Sequence, residues 1–94
     1  MQTLKVLGAL VSRPGCGISG AEIGRTAKLR SGTLYPTLLR LERAGWLESR
    51  WEDANPHDLG RPRRRYYRLT ALGARNARLA FDEVTASVGG LAWG

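Results

Sequence analysis

Residues 31–51 read SGTLYPTLLRLERAGWLESRW, and the hydrophobic period changes inside them. Leu34, Leu38 and Leu41 recur at i, i+4 and i+7, the spacing of one buried helix face. The helix is expected from about Ser31 or Thr33 to Ala44, with Gly45 as the residue just past its end. With Thr33 as N-cap, Pro36 falls at the third helical position, where a missing N–H leaves nothing unpaired. At about 100° per residue, Arg40, Pro36 and Arg43 point away from the leucines, with Thr33 and Thr37 flanking them. Leu39 also lies off the stripe, as an exposed group or one packed on a neighbouring element. Past Gly45 the period becomes two: Trp46 to Trp51 alternates and is rich in aromatics, as a strand is.

Downstream, residues 53–62 are crowded with turn formers, and Tyr66 to Leu69 reads as a second strand. Two antiparallel strands joined by a long basic loop follow. Upstream, Ser19 and Glu22 form a capping box that opens a short helix with Ile23 and Ala27 inside, Arg25 and Lys28 outside. An earlier helix carries Leu4, Leu7 and Val11, widened by Val6 and Leu10, and the turn from Arg13 to Gly17 stops it. The last helix starts after Thr70 and runs to about Ser87. Ala77, Phe81, Val84, Val88 and Leu91 step along it by four and three, a seam suited to a partner helix or to its own core. Gly89 and Gly90 are expected to end it, leaving Leu91 and Trp93 in a short apolar tail.

The order helix, helix, helix, strand, strand, helix is that of a winged helix-turn-helix. The expected fold is mainly α with a small two-stranded antiparallel wing, followed by a C-terminal dimerisation helix. Residues 1–69 would be the DNA-binding part and residues 70–94 the dimerising helix and tail of one structural domain.

Charge sharpens this reading. The 94 residues carry 15 cations, 8 anions and a net charge of +7, and all the cations but Lys5 and Lys28 are arginine. Residues 1–45 hold seven cations against two anions, and residues 60–68 hold five arginines and no acid. Residues 46–59 set Arg50 against Glu48, Glu52, Asp53 and Asp58, and those acids should turn from a polyanion or pair with Arg50 or the arginines after Gly60. The third helix and the loop thus mark a nucleic-acid footprint; the bland alternative is a solvated arginine run.

Backbone N–H groups near Gly32 and Thr33 suit a phosphate, and Gly32 has no side chain to hold the backbone off. The Thr33 and Tyr35 hydroxyls can reach a phosphate or base edge, and Arg40 and Arg43 a phosphate or a guanine. Arg61, Arg63 and Arg64 can track a backbone or enter a narrow minor groove. Arg65 and Arg68 alternate with tyrosines and are expected on the sheet. Arg30, Ser31 and Pro36 complete the candidate DNA-binding set.

One cysteine and one histidine build neither a disulfide framework nor a familiar zinc site. His57 and Cys16 have no acid or base spaced to orient them, so no catalytic residue, metal or cofactor is expected. Cys16 reads as an inert thiol. The N-terminal apolar run is too short for a membrane span or signal core, so a soluble cytoplasmic or nucleoid-associated protein is expected. Two other classes compete: nonspecific RNA or ribosome binding with Tyr66 and Tyr67 stacking bases, and a winged helix used as a protein-interaction module.

The motifs also carry a resemblance. Ser31 to Pro36, Leu41 to Ser49 with Trp51 and Glu52, and Gly60 to Thr70 resemble the PadR family of bacterial transcriptional regulators. The Gly-Thr-Leu-Tyr-Pro helix start and the Gly-Arg-Pro-Arg loop tip are rarely found together elsewhere. The resemblance implies a winged-helix homodimer, usually a repressor, on an inverted repeat of double-stranded DNA. It places Gly32, Thr33, Tyr35 and Pro36 on the operator and Arg61 and Arg63 at the wing tip. Short members dimerise through the C-terminal and first helices, which here would use Leu4, Leu7, Ala77, Phe81, Val84, Val88 and Leu91. The second helix departs from the usual motif, keeping only its Gly20 and its Glu22-Ile23 pair. A small dimer leaves little room for a small-molecule effector; Trp46, Trp51 and Trp93 are the candidate pocket walls, with core packing preferred.

Overall fold

The computed structural model describes residues 2–12 and 17–93, the last nine through their backbone alone. Expectations for Cys16 and the side chains of Val88, Leu91 and Trp93 therefore lie outside the described residues. The elements are α1 (Gln2–Val11), β1 (Ile18–Ser19), α2 (Gly20–Ala27), α3 (Ser31–Arg43), β2 (Leu47–Trp51), α4 (Pro56–Leu59), β3 (Arg65–Leu69) and α5 (Ala71–Trp93).

Packing begins with α1, which lies against α2, α3 and α5. Its buried side is Val6, Leu7, Ala9 and Leu10, whereas Leu4 is half-buried and Val11 exposed. The stripe is thus rotated from the expected Leu4–Leu7–Val11 line, because three neighbours on one side select the most enclosed positions. Ile23 from α2, Leu34, Leu38 and Leu41 from α3, Leu47 and Tyr67 from the sheet and Ala77 from α5 complete the core.

Local chemistry sets the turns. The Ser19 side chain accepts from the Glu22 N–H at 3.2 Å and starts α2. Lys28 then takes the left-handed conformation, φ 57°, so that the Leu29 N–H returns to the Gly24 carbonyl at 2.9 Å. The same closure recurs after α3, with Gly45 at φ 81° and the Trp46 N–H on the Leu41 carbonyl.

Helix α3 starts earlier than a Thr33 cap would allow. Arg30 is its N-cap and makes no side-chain cap bond. The Thr33 and Leu34 N–H groups return to the Arg30 carbonyl, at 3.0 and 2.9 Å. Pro36 therefore sits inside the helix, and its missing N–H leaves the Gly32 carbonyl, four residues earlier, without that bond.

The sheet has three strands, not two, in the antiparallel order β1-β3-β2. The extra strand is only Ile18 and Ser19, paired with Tyr67 and Tyr66. Two residues carry no alternation to read, and the pairing exists because β3 offers a free edge. The β2–β3 register sets Glu48 opposite Arg68, Arg50 opposite Tyr66 and Trp51 opposite Arg65. Between these strands the loop holds one turn of helix, α4, capped by the Asn55 side chain and ended by left-handed Gly60.

Helix α5 opens with the Thr70 hydroxyl accepting from the Gly73 N–H at 3.0 Å, the expected N-cap. It packs on α1 and β3. Its backbone stays helical through Gly89 and Gly90 to Trp93, against the expected stop. Glycine costs a helix only about 1 kcal/mol and still donates its N–H, so two of them weaken a helix without ending it.

Candidate nucleic-acid interface

With Leu34, Thr37, Leu38 and Leu41 turned inward, the opposite face of α3 is set by the helical period. Gly32, Pro36, Leu39 and Arg43 run along its centre, with Tyr35 on one flank and Thr33 and Arg40 on the other; all are exposed. Leu39 and Arg43 thus belong to the middle of this face; Arg43 was read as able to reach a phosphate or a guanine, whereas Leu39 was not singled out as a site residue. Their signal was present in the helical wheel.

The one acid on α3 is drawn off this face. Glu42 accepts from the Ser49 hydroxyl at 2.7 Å and stands 3.6 Å from Arg65. Arg65 in turn donates to Ser49 at 3.0 Å and lies over the Trp51 ring, 5.2 Å from its centre. This chain of contacts ties α3 to the wing sheet and leaves the outer face of α3 without negative charge. As expected, Arg65 and Arg68 stay on the sheet, Arg68 paired with Glu48.

Tyr35 is not in the core: it is 45% exposed and lies across Gly20, where an added Cβ would meet its ring and hydroxyl at 3.0 Å. Beside it a cleft of about 440 Å³ separates the start of α2 from the wing, lined by Gly20, Tyr35, Trp51, Arg63 and Arg64. Gly32 meets nothing within 4 Å of an added Cβ. Gly32→Ala should therefore raise thermal stability, by about 0.5–1 kcal/mol, because alanine is the better helix former. The same methyl, standing on the outer face, should weaken binding to a nucleic-acid duplex. Parallel thermal melts and binding titrations would check the opposite signs.

On the wing, the structure gives Arg61 a different task from the expected phosphate contact. Its guanidinium grips Glu52 through two bonds, 2.8 and 3.0 Å, and also reaches the Pro62 carbonyl. Arg61 thus braces the base of the loop, and its charge is matched. Arg63 gives its Nε to the Ala54 carbonyl at 2.7 Å and keeps its outer nitrogens exposed. Arg64 bonds Glu52 through its backbone N–H, and its side chain makes no ion pair with any described residue. Arg30, Arg40, Arg43, Arg63 and Arg64 make no ion pair with any described residue. Arg40 touches only the Thr37 hydroxyl, at 3.4 Å.

The hydrogen bonds from Arg61 hold the Glu52 carboxyl below its ordinary value, and the Arg64 N–H adds to the effect. A carboxyl lowered in the folded state contributes its full stabilisation above the ordinary carboxylate value and loses it as pH falls from there through the lowered folded value. The Arg64 amide resonance should report this titration. In Arg61→Ala its midpoint should rise toward that of a free glutamate; an unchanged midpoint would reject the brace.

The expected dimer residues divide. Leu7, 1% exposed, and Ala77, 0% exposed, are consumed by the chain's own core, which corrects their assignment to a seam. Leu4 is half-buried, and Phe81 packs on that core beside Gly8. Val84 is exposed on α5, together with Leu72 and Leu79. Trp46 packs partly on the core, whereas Trp51 is exposed under Arg65, against the expected core packing, and lines the open cleft beside Tyr35. Among the described residues no helix is long and apolar enough to cross a membrane.

Three helices, a three-stranded wing sheet and a basic loop beside the outer face of α3 define a winged helix-turn-helix protein. Solved structures agree. The PcaV transcriptional regulator from Streptomyces coelicolor, in complex with its natural ligand, is 30% identical with a TM-score of 0.67 over 81% of this chain and 48% of that one. The protein smu.1704 from Streptococcus mutans is 28% identical with a TM-score of 0.78, over the whole of this chain and 91% of that one. FabT from Streptococcus pneumoniae, solved with DNA, shares the fold at 18% identity and a TM-score of 0.71, over the whole of this chain and 60% of that one. The chain spans about half the length of the Streptomyces regulator. No curated protein matches it in sequence. Residues 6–79 match the PadR-like family of transcriptional regulators. The chain belongs to that family.

Proposed function

We propose that this regulator acts as a homodimeric repressor, with α3 of each copy in the major groove of an inverted-repeat DNA operator and the wing on the flanking backbone. The observation that carries the reading is the acid-free outer face of α3, whose Tyr35 shares a cleft with Arg63 and Arg64, arginines that make no ion pair with any described residue. A major groove about 12 Å wide admits one helix, and helix N-terminal residues meet base edges there. Residues 1–69 would carry the DNA contacts and residues 70–94 the pairing of copies. The DNA-bound FabT structure supports this use of the fold, and the ligand-bound PcaV structure leaves room for an effector.

Selection of bound duplexes from a random DNA pool tests the proposal. An enriched inverted repeat with half-sites about one helical turn apart is expected. Equal affinity for selected and scrambled duplex would reject it. Pairing is tested separately. Val84 is 45% exposed on α5, so a charge there should spare the protomer core. Val84→Asp should shift the protein from dimer toward monomer in light scattering at micromolar concentration; an unchanged dimer mass would move the interface elsewhere.

A further inference from the structure

We infer that Leu39 reads a thymine C5-methyl group in the major groove, a specificity contact that rests on the proposed docking of α3. Leu39 is 47% exposed, at the centre of a face otherwise made of Gly32, Pro36, Arg43 and their polar flanks. Single exposed leucines are ordinary on protein surfaces. This one differs by its place. It lies on the outer face of the helix whose acid, Glu42, is held away by Ser49 and Arg65, among cations that make no ion pair with any described residue. It also stands about 10 Å along the helix from Gly32, within the stretch that the groove would enclose.

The chemistry of the groove narrows the ligand. Guanine, adenine and cytosine edges present hydrogen-bond donors and acceptors there, and a leucine can satisfy none of them. The thymine methyl is the apolar group in the major groove, and contact with it is the favourable use of an aliphatic side chain. A cytosine at that step would offer only a C5 hydrogen where the methyl stood, beside an N4 amino group in place of the thymine O4. The position of Pro36 one turn earlier on the same face extends the apolar surface toward the neighbouring step.

The test uses the full chain and a duplex enriched from a random pool, labelled for fluorescence anisotropy. Each thymine of a half-site is replaced in turn by deoxyuridine, which removes only the methyl. For the native protein, one position in each half-site should lose about fourfold in affinity, the weight of one buried carbon. Leu39→Ala should bind the thymine duplex more weakly and respond equally to thymine and uracil at that position. Its circular dichroism and melting should match the native chain, because Leu39 is outside the core. Uracil duplexes bound as tightly as thymine ones would overturn the inference, as would a Leu39→Ala variant that still senses the methyl. A pool from which no sequence is enriched would overturn the docking of α3 as well, and so separates the two failures.

Discussion

Gly73→Ala is expected to lower stability by about 3 kcal/mol or more, although it replaces a poor helix former with the best one. A Cβ at this position would stand 1.9 Å from the Trp46 carbonyl oxygen and 2.7 Å from its carbon. These are backbone atoms, and they cannot step aside cheaply. The Trp46 N–H is bound to the Leu41 carbonyl, and its own carbonyl accepts from the Thr70 N–H at 3.0 Å. The Thr70 hydroxyl, in turn, donates to the Gly45 carbonyl at 2.6 Å. The first turn of α5 is therefore seated on the turn that ends α3, with no atom's width between them. The gain of about 1 kcal/mol in helix propensity is smaller than the clash and does not reverse the sign. Domains of this size are stable by about 5–15 kcal/mol, and 1 kcal/mol moves the melting temperature by about 4–8 °C. A fall of at least 12 °C or so should appear by calorimetry. A fall of only a few degrees would show that α5 does not start against Trp46.

Raising the salt concentration from about 50 to 200 mM should weaken binding to a selected duplex by roughly four orders of magnitude. The slope of log K against log salt is about −0.9 per phosphate neutralised, and a dimer contacting on the order of four phosphates per copy gives about −7. Five arginines, Arg30, Arg40, Arg43, Arg63 and Arg64, make no ion pair with any described residue and can supply those contacts. Arg64→Ala should make the slope shallower by about two for the dimer, one phosphate per copy, and weaken all sequences alike. Arg61→Ala should leave the slope nearly unchanged, because Glu52 already matches its charge. It should weaken binding all the same by loosening the wing. A flat salt dependence would remove DNA as the partner, and equal slopes for the two variants would reject the division of labour on the wing.

Much of the fold was legible before any coordinates. The leucine spacing in α3, the Ser19 and Thr70 caps and the Gly45 turn are local events, each decided by atoms within one helical turn. Strand β1 was not legible, since two residues hold no period, and neither was the single turn of α4 inside the wing loop. For the start of α3 the sequence offered Ser31 or a threonine cap at Thr33, and the structure takes the first. The helix begins at Ser31 with no side-chain cap, and it tolerates Pro36 on its exposed side, where Gly32 is exposed as well.

The candidate site divides along the same line. Its location, an outer helix face beside an arginine-rich loop, follows from periodicity and charge counted along the chain. The role of each arginine does not follow, because it depends on partners distant in sequence that the β2–β3 register and the seating of α3 bring together. Glu52 meets Arg61, Glu48 meets Arg68, and Glu42 crosses from α3 to Arg65. Five neighbouring arginines that look alike in sequence thereby become one brace, one pairing within the sheet, one tie to α3 and two that make no ion pair with any described residue. Ala77, read as part of a seam by spacing, and Leu7, placed at the dimer contact by the resemblance, were likewise assigned to the core by where α1 and α5 cross. Periodicity says which residues share a face, whereas the packing of one element on another says what that face meets.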